Sequence, residues 1–63
     1  MQVDVLEMES EKRVCSFTTD CMPRVGETLW TVKDTPYRHL KVTAVYYHAA
    51  DNYLNATIYV EEE

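Results

Sequence analysis

Apolar and polar residues alternate with a period close to two over most of this chain, the spacing of strands whose two faces meet different surroundings. The clearest run spans Tyr37 to His48. One face carries Leu40, Val42, Ala44 and Tyr46; the other carries Tyr37, His39, Lys41, Thr43, Val45 and Tyr47. Ala49-Ala50-Asp51-Asn52 then supplies turn chemistry, because Asp and Asn tolerate left-handed backbone conformations. A second alternating run follows, with Leu54, Ala56, Ile58 and Val60 on one face and Tyr53, Asn55, Thr57 and Tyr59 on the other. The two runs predict a long hairpin. Both apolar sets must share a side, since a one-residue slip would put one of them in water. That pairs Tyr46 with Leu54, Ala44 with Ala56, Val42 with Ile58 and Leu40 with Val60. The outward pairs are then Tyr47 with Tyr53, Val45 with Asn55, Thr43 with Thr57 and Lys41 with Tyr59.

Upstream, Thr28 to Lys33 reads as a strand containing Leu29, Trp30 and Val32. Pro23-Arg24-Val25-Gly26-Glu27 before it reads as a turn, with Gly26 able to take a positive φ. Thr35-Pro36 interrupts the chain again, because Pro cannot donate to a central ladder. Arg13 to Thr19 reads as a strand with Cys15 and Phe17 on one face and Val14 and Ser16 on the other. Met1 to Glu9 fits a strand through Val3 and Val5, but Leu6 and Met8 fall on the opposite face. A bulge near Val5-Leu6 reconciles them; a short helix is the rival. Ser10-Glu11-Lys12 turns the chain into the next strand. These elements predict an all-β fold: a small SH3-like barrel or a strongly bent antiparallel sheet of four to five strands. Bending or closure hides one face and protects the edges that a small flat sheet would expose.

Length makes this one domain, residues 1–63. A chain this short buries only roughly 60% of the surface its unfolded form exposes, so the core is small. Six Lys and Arg against eleven Asp and Glu leave a net charge of -5, a poor match to the phosphate contacts on which nucleic-acid binding depends. The start, Met1-Gln2-Val3-Asp4-Val5, lacks the basic-then-apolar character of a secretory signal, and no apolar run has the length of a membrane-spanning helix. The expectation is a cytoplasmic protein without direct nucleic-acid or membrane partners. In that compartment Cys15 and Cys21 are expected as thiols.

Pro23 to Trp30, Tyr37-Arg38-His39-Leu40-Lys41-Val42 and Thr57-Ile58-Tyr59-Val60 together resemble small SH3-like barrels, in which a Pro-x-Val-Gly-Glu turn leads into a Trp-bearing strand. The resemblance covers residues 23–60 and implies the barrel. It carries over no ligand-binding residue, because the acidic loop and paired tyrosines of polyproline-binding SH3 domains do not map here. In size and acidity the chain also resembles small accessory proteins encoded by phages, many of which bind and inhibit a host protein.

Enzyme chemistry finds little footing. Cys15, Cys21, His39 and His48 are four candidate zinc ligands, but the pairs are separated by five and eight residues, too far for one tight turn to present both members. Strict alternation also sends His39 and His48 to opposite faces. No Gly-rich elbow or helix N-terminus stands ready to activate a thiol. The single Gly excludes a Gly-rich phosphate loop. No metal, cofactor or catalytic residue is expected.

The five tyrosines are the notable feature. With Leu40, Val42, Ala44, Ile58 and Val60 inward, Tyr37, His39, Val45, Tyr47, Tyr53 and Tyr59 face outward as a candidate partner-binding surface. Tyrosine suits an interface, offering large area, few rotors and a polar tip. The competing role is to stabilise strand pairing alone. Trp30 is expected in the core. The function expected is non-enzymatic: stoichiometric binding of a host protein, with a homodimer as a further partner. One alternative is a small-molecule or nucleotide-signal binder with its site between protomers. Another is an acidic nucleic-acid mimic, if pairing of the first and last strands sets Asp4, Glu7, Glu9 and Glu11 beside Glu61 to Glu63.

Overall fold

A computed structural model describes residues 1–31 and 38–63. Within them lie five strands and no helix: β1 (Gln2–Glu7), β2 (Arg13–Thr18), β3 (Thr28–Thr31), β4 (Arg38–Ala50) and β5 (Tyr53–Glu62). They form one sheet in the order β2-β1-β5-β4-β3, strongly curled into a half-barrel. The all-β reading holds. The N-terminal segment is a strand, not a helix. Val32, Tyr37 and the Thr35-Pro36 break lie outside the described residues.

One pairing departs from a fully antiparallel sheet. β1 runs parallel to β5, with Val3 beside Ala56, Val5 beside Ile58 and Glu7 beside Val60. This register aligns the apolar columns of both strands on one face, which is the condition a half-buried sheet imposes. The core is that concave face. Val3, Val5, Leu40, Val42, Ala56, Ile58 and Val60 are fully or almost fully buried. Val14, Cys15 and Phe17 of β2, Leu29 of β3 and Met22 of the β2–β3 connection pack around them.

The β1–β2 ladder is irregular at Val5/Leu6, as the sequence suggests, but the extra residue is on the other strand. Val5 pairs with Cys15 and Leu6 with Arg13, so Val14 is the bulged residue. Val14 thereby joins Cys15 and Phe17 against the core, while Leu6, beside Tyr59, keeps to the convex face. The β1–β2 turn closes with Glu7 N–H donating to the Lys12 carbonyl at 2.9 Å and Glu11 N–H to the Glu7 carbonyl at 2.9 Å. It holds Glu11 at φ 58, a left-handed conformation unusual for a residue with a Cβ. Gly26 takes the positive φ expected of it, at 93. Its turn is closed by Glu27 N–H donating to the Arg24 carbonyl, and Gly26 N–H itself reaches the Val42 carbonyl at 2.9 Å.

The β4–β5 hairpin is real, but its register differs from the expected one. The turn is only Asp51-Asn52, and both residues keep negative φ. Ala50 pairs with Tyr53, Tyr47 with Ala56 and Val45 with Ile58; at the far end Val42 pairs with Val60 and Leu40 with Glu62. The short turn adds ladder pairs that the expected longer loop would forgo. Keeping both Val42 and Val45 over the core then needs one extra residue between them, and Thr43 is that bulge. Its hydroxyl donates to the Tyr59 carbonyl at 3.1 Å, satisfying an acceptor where the ladder is interrupted.

Candidate functional site

The Thr43 bulge reverses the facing of everything beyond it on β4. Val45 turns inward and packs, half-buried, against the core. Tyr47 follows it to the concave side and borders a shallow groove with Met1, Met22, Pro23 and Val25. Two of the six residues expected on the outward face are therefore not on it. Tyr46, expected inward opposite Leu54, instead points out beside Thr57.

Of the rest, Tyr37 lies outside the described residues. His39, Tyr53 and Tyr59 do lie on the convex face, and three structures organise it. Trp30 pairs across from His39 and stacks on it, with ring centroids 4.3 Å apart and planes 19° from parallel. Tyr46 meets Tyr59 edge to face, with centroids 5.6 Å apart and planes at 87°. His48 Nε2 sits 2.9 Å from the Thr57 hydroxyl, next to the end of the hairpin that carries Tyr53. The bulge also brings His48 to the same face as His39, where strict alternation had placed them on opposite faces.

Trp30 is a correction. It is 66% exposed, not a core residue. The clue is its neighbour: Leu29 pairs with the fully buried Leu40, so the next residue on an extended strand must point away. Tyr46 and Tyr53 are comparably open at 55% and 60%. Tyr59 is half-buried beneath Tyr46 and serves as its support. The convex surface thus presents Trp30, Tyr46 and Tyr53 on a sheet whose opposite side is the core.

Charge collects at the end of the molecule away from the hairpin turn. The parallel β1–β5 pairing brings Glu7 and Glu9 close to Glu61 and Glu62 around one depression. Arg38 holds this end together. Its Nη2 donates to Glu7 at 2.9 Å and its Nε to Glu62 at 2.7 Å, tying β4 to both β1 and β5. The Arg38 hydrogen bond, followed by one from Ser10, holds the Glu7 carboxyl below the usual carboxylate range. Hydrogen bonds to Glu7 and then to Glu62 raise Arg38 above its ordinary value. With both carboxylates seated on it, Arg38 is engaged in binding the strands together.

Cys15 is half-buried among core residues, and Cys21 is exposed in the β2–β3 connection. Among the described residues, no three of His, Cys, Asp and Glu gather in a metal-holding cluster, and no helix is long and apolar enough to cross a membrane. Set against known proteins, the sequence matches no family model, and neither a curated protein nor a solved structure matches the chain.

Proposed function

We propose that this protein is a non-enzymatic binding module that engages one protein partner stoichiometrically through the convex face bearing Trp30, His39, Tyr46, Tyr53 and Tyr59. The observation that carries this reading is the exposure of three large aromatic side chains on one face. Two of them, Trp30 and Tyr46, are held by ring contacts and are therefore partly preorganised. Aromatic anchors with restricted rotamers dominate the energetics of protein interfaces, because little side-chain entropy is left to lose on binding. The acidity and small size shared with phage-encoded accessory proteins make a host protein the partner within this reading, and inhibition by occupancy the mechanism.

The experiment is affinity capture from lysate with the wild type and with a Tyr46→Ser/Tyr53→Ser variant. Both positions are exposed, so the variant keeps its circular dichroism. Loss of a stoichiometric partner supports the reading; retention of that partner overturns it.

One observation favours a second reading. The β1–β5 pairing assembles the acidic end that a nucleic-acid mimic would need. Its weakness is that Arg38 already engages Glu7 and Glu62. A mimic would lose its basic partner steeply with added salt and be indifferent to the tyrosine changes, so the same capture separates the two.

A further inference from the structure

The outer edge of β4 is the largest unanswered feature of the fold. On its inner side β4 pairs with β5 along nearly its whole length. On its outer side β3 covers only Arg38 to Lys41. Gly26 and Glu27 then exchange backbone hydrogen bonds with Val42. Past that point, among the described residues, no backbone hydrogen bond reaches this edge from Ala44 to Ala50. Edges of this length are normally blunted by Lys, Pro, a further bulge or a covering loop. Ala44-Val45-Tyr46-Tyr47-His48-Ala49-Ala50 has no Pro, no Lys and no carboxylate.

We propose that this edge is closed by a second copy of the chain, with the two β4 strands pairing antiparallel about a twofold axis near Tyr47. The segment complements itself about that residue. Ala44 falls opposite Ala50, Val45 opposite Ala49 and Tyr46 opposite His48, while each Tyr47 meets its counterpart. Small residues oppose small or medium ones, aromatic rings lie beside rings, and both faces keep their character. A twofold contact of this kind closes on itself and stops at two copies.

Charge supports this occupant. The cluster of Glu7, Glu9, Glu61 and Glu62 lies at the Leu40–Glu62 end of the hairpin, seven residues from Tyr47. At about 3.3 Å per residue that is about 23 Å from the axis, so the two acidic ends stand about 46 Å apart, several Debye lengths at physiological salt. Antiparallel pairing therefore keeps the Glu7, Glu9, Glu61 and Glu62 clusters of two copies of net charge -5 far apart while their β4 edges meet through Ala44 to Ala50, which carry no carboxylate. The convex aromatic face remains available, so this proposal does not depend on the function proposed above.

The test is molar mass by light scattering at micromolar protein. The wild type is expected at twice the monomer mass. Tyr47→Lys and Tyr47→Glu, which set like charges together at the axis, are each expected at monomer mass with an unchanged circular dichroism spectrum. Mixing the two variants is expected to restore the doubled mass, which only a self-complementary contact through position 47 can do. Ala49→Lys, opposite Val45 and away from the axis, is a second disrupting variant should position 47 prove intolerant. A monomeric wild type, or a dimer that survives Tyr47→Lys and Ala49→Lys, overturns the proposal. Partner capture by a monomeric Tyr47→Lys variant would uphold the convex-face function independently of the dimer.

Discussion

The Thr43 bulge decides which side chains of β4 face a partner, and one pair of substitutions tests it. Val45 and Ala44 are adjacent, and the two registers considered above assign them opposite faces. In the structure Val45 packs against the core and Ala44 lies across from Tyr59 on the convex face. In an unbulged ladder Ala44 would face Ala56 in the core and Val45 would be outside. Consider Val45→Asn against Ala44→Asn. Full burial of a Val side chain stabilises by about 1.5–3 kcal/mol, so a half-buried one loses roughly 1 kcal/mol. The carboxamide then sits over apolar neighbours without a partner, at about 1–3 kcal/mol. Val45→Asn should therefore cost about 2–4 kcal/mol, out of a total stability of about 3–9 kcal/mol for a chain of this length. Ala44→Asn, half-buried on the convex face where its carboxamide still reaches water, should cost about 1 kcal/mol or less. The assay is urea unfolding followed by circular dichroism. With a slope of about 1 kcal/mol per molar urea, the Val45→Asn midpoint falls by about 2–4 M and the Ala44→Asn midpoint by less than about 1 M. Equal losses, or a larger loss at Ala44, would refute the bulged register and with it the placement of Tyr46 on the convex face.

Three further outcomes follow from the same packing. Ile58→Ala removes a fully buried side chain from the middle of the sheet and should cost about 2–5 kcal/mol, read as a urea midpoint lower by about 2–5 M at a slope of about 1 kcal/mol per molar. Gly26→Ala meets no atom within 4 Å but must adopt φ 93; the loss should be about 1–2 kcal/mol, seen as a melting temperature lower by roughly 4–15 °C. Because Arg38 and Ser10 depress the Glu7 carboxyl, its stabilising contribution is fully present above the unfolded-state carboxylate pKa and is lost as pH falls through the lower folded-state value. Glu7→Gln should flatten that acid limb in denaturation measured across pH, and an unchanged slope would mean the Arg38 contact contributes nothing to folding.

Alternation made much of this fold legible. It marks β4 and β5 as partners and puts Val3 and Val5 in a strand, while the missing Cβ of Gly26 marks one of the two positive-φ positions among the described residues. What it conceals is a bulge. Leu40, Val42, Ala44 and Tyr46 read as one unbroken apolar face, and only the advantage of a tight Asp51-Asn52 turn, which lengthens the ladder, shows that the face is handed on at Thr43. The candidate surface suffered accordingly. Parity carried unbroken through Thr43 sends Val45 and Tyr47 to that surface and Tyr46 away from it, the reverse of where the bulge puts them. The scarcity of other residues from which so short a chain could build a centre points Trp30 to the core, whereas the alternation from Leu29 points it outward, where it lies. The parallel β1–β5 pair could not be read locally, because it joins the two ends of the chain and depends on how far the sheet curls.

Trp30 is a built-in reporter of whether a protein partner covers the convex face. The chain has a single Trp, so labelling it with a fluorinated indole yields one ¹⁹F resonance from a side chain 66% exposed beside His39. The measurement is that resonance in cell lysate, for the wild type and for Tyr46→Ser/Tyr53→Ser. Binding through this face gives a shifted, broadened signal for the wild type and an unperturbed one for the variant. A wild-type resonance identical in buffer and in lysate, or the same shift in both proteins, would contradict it.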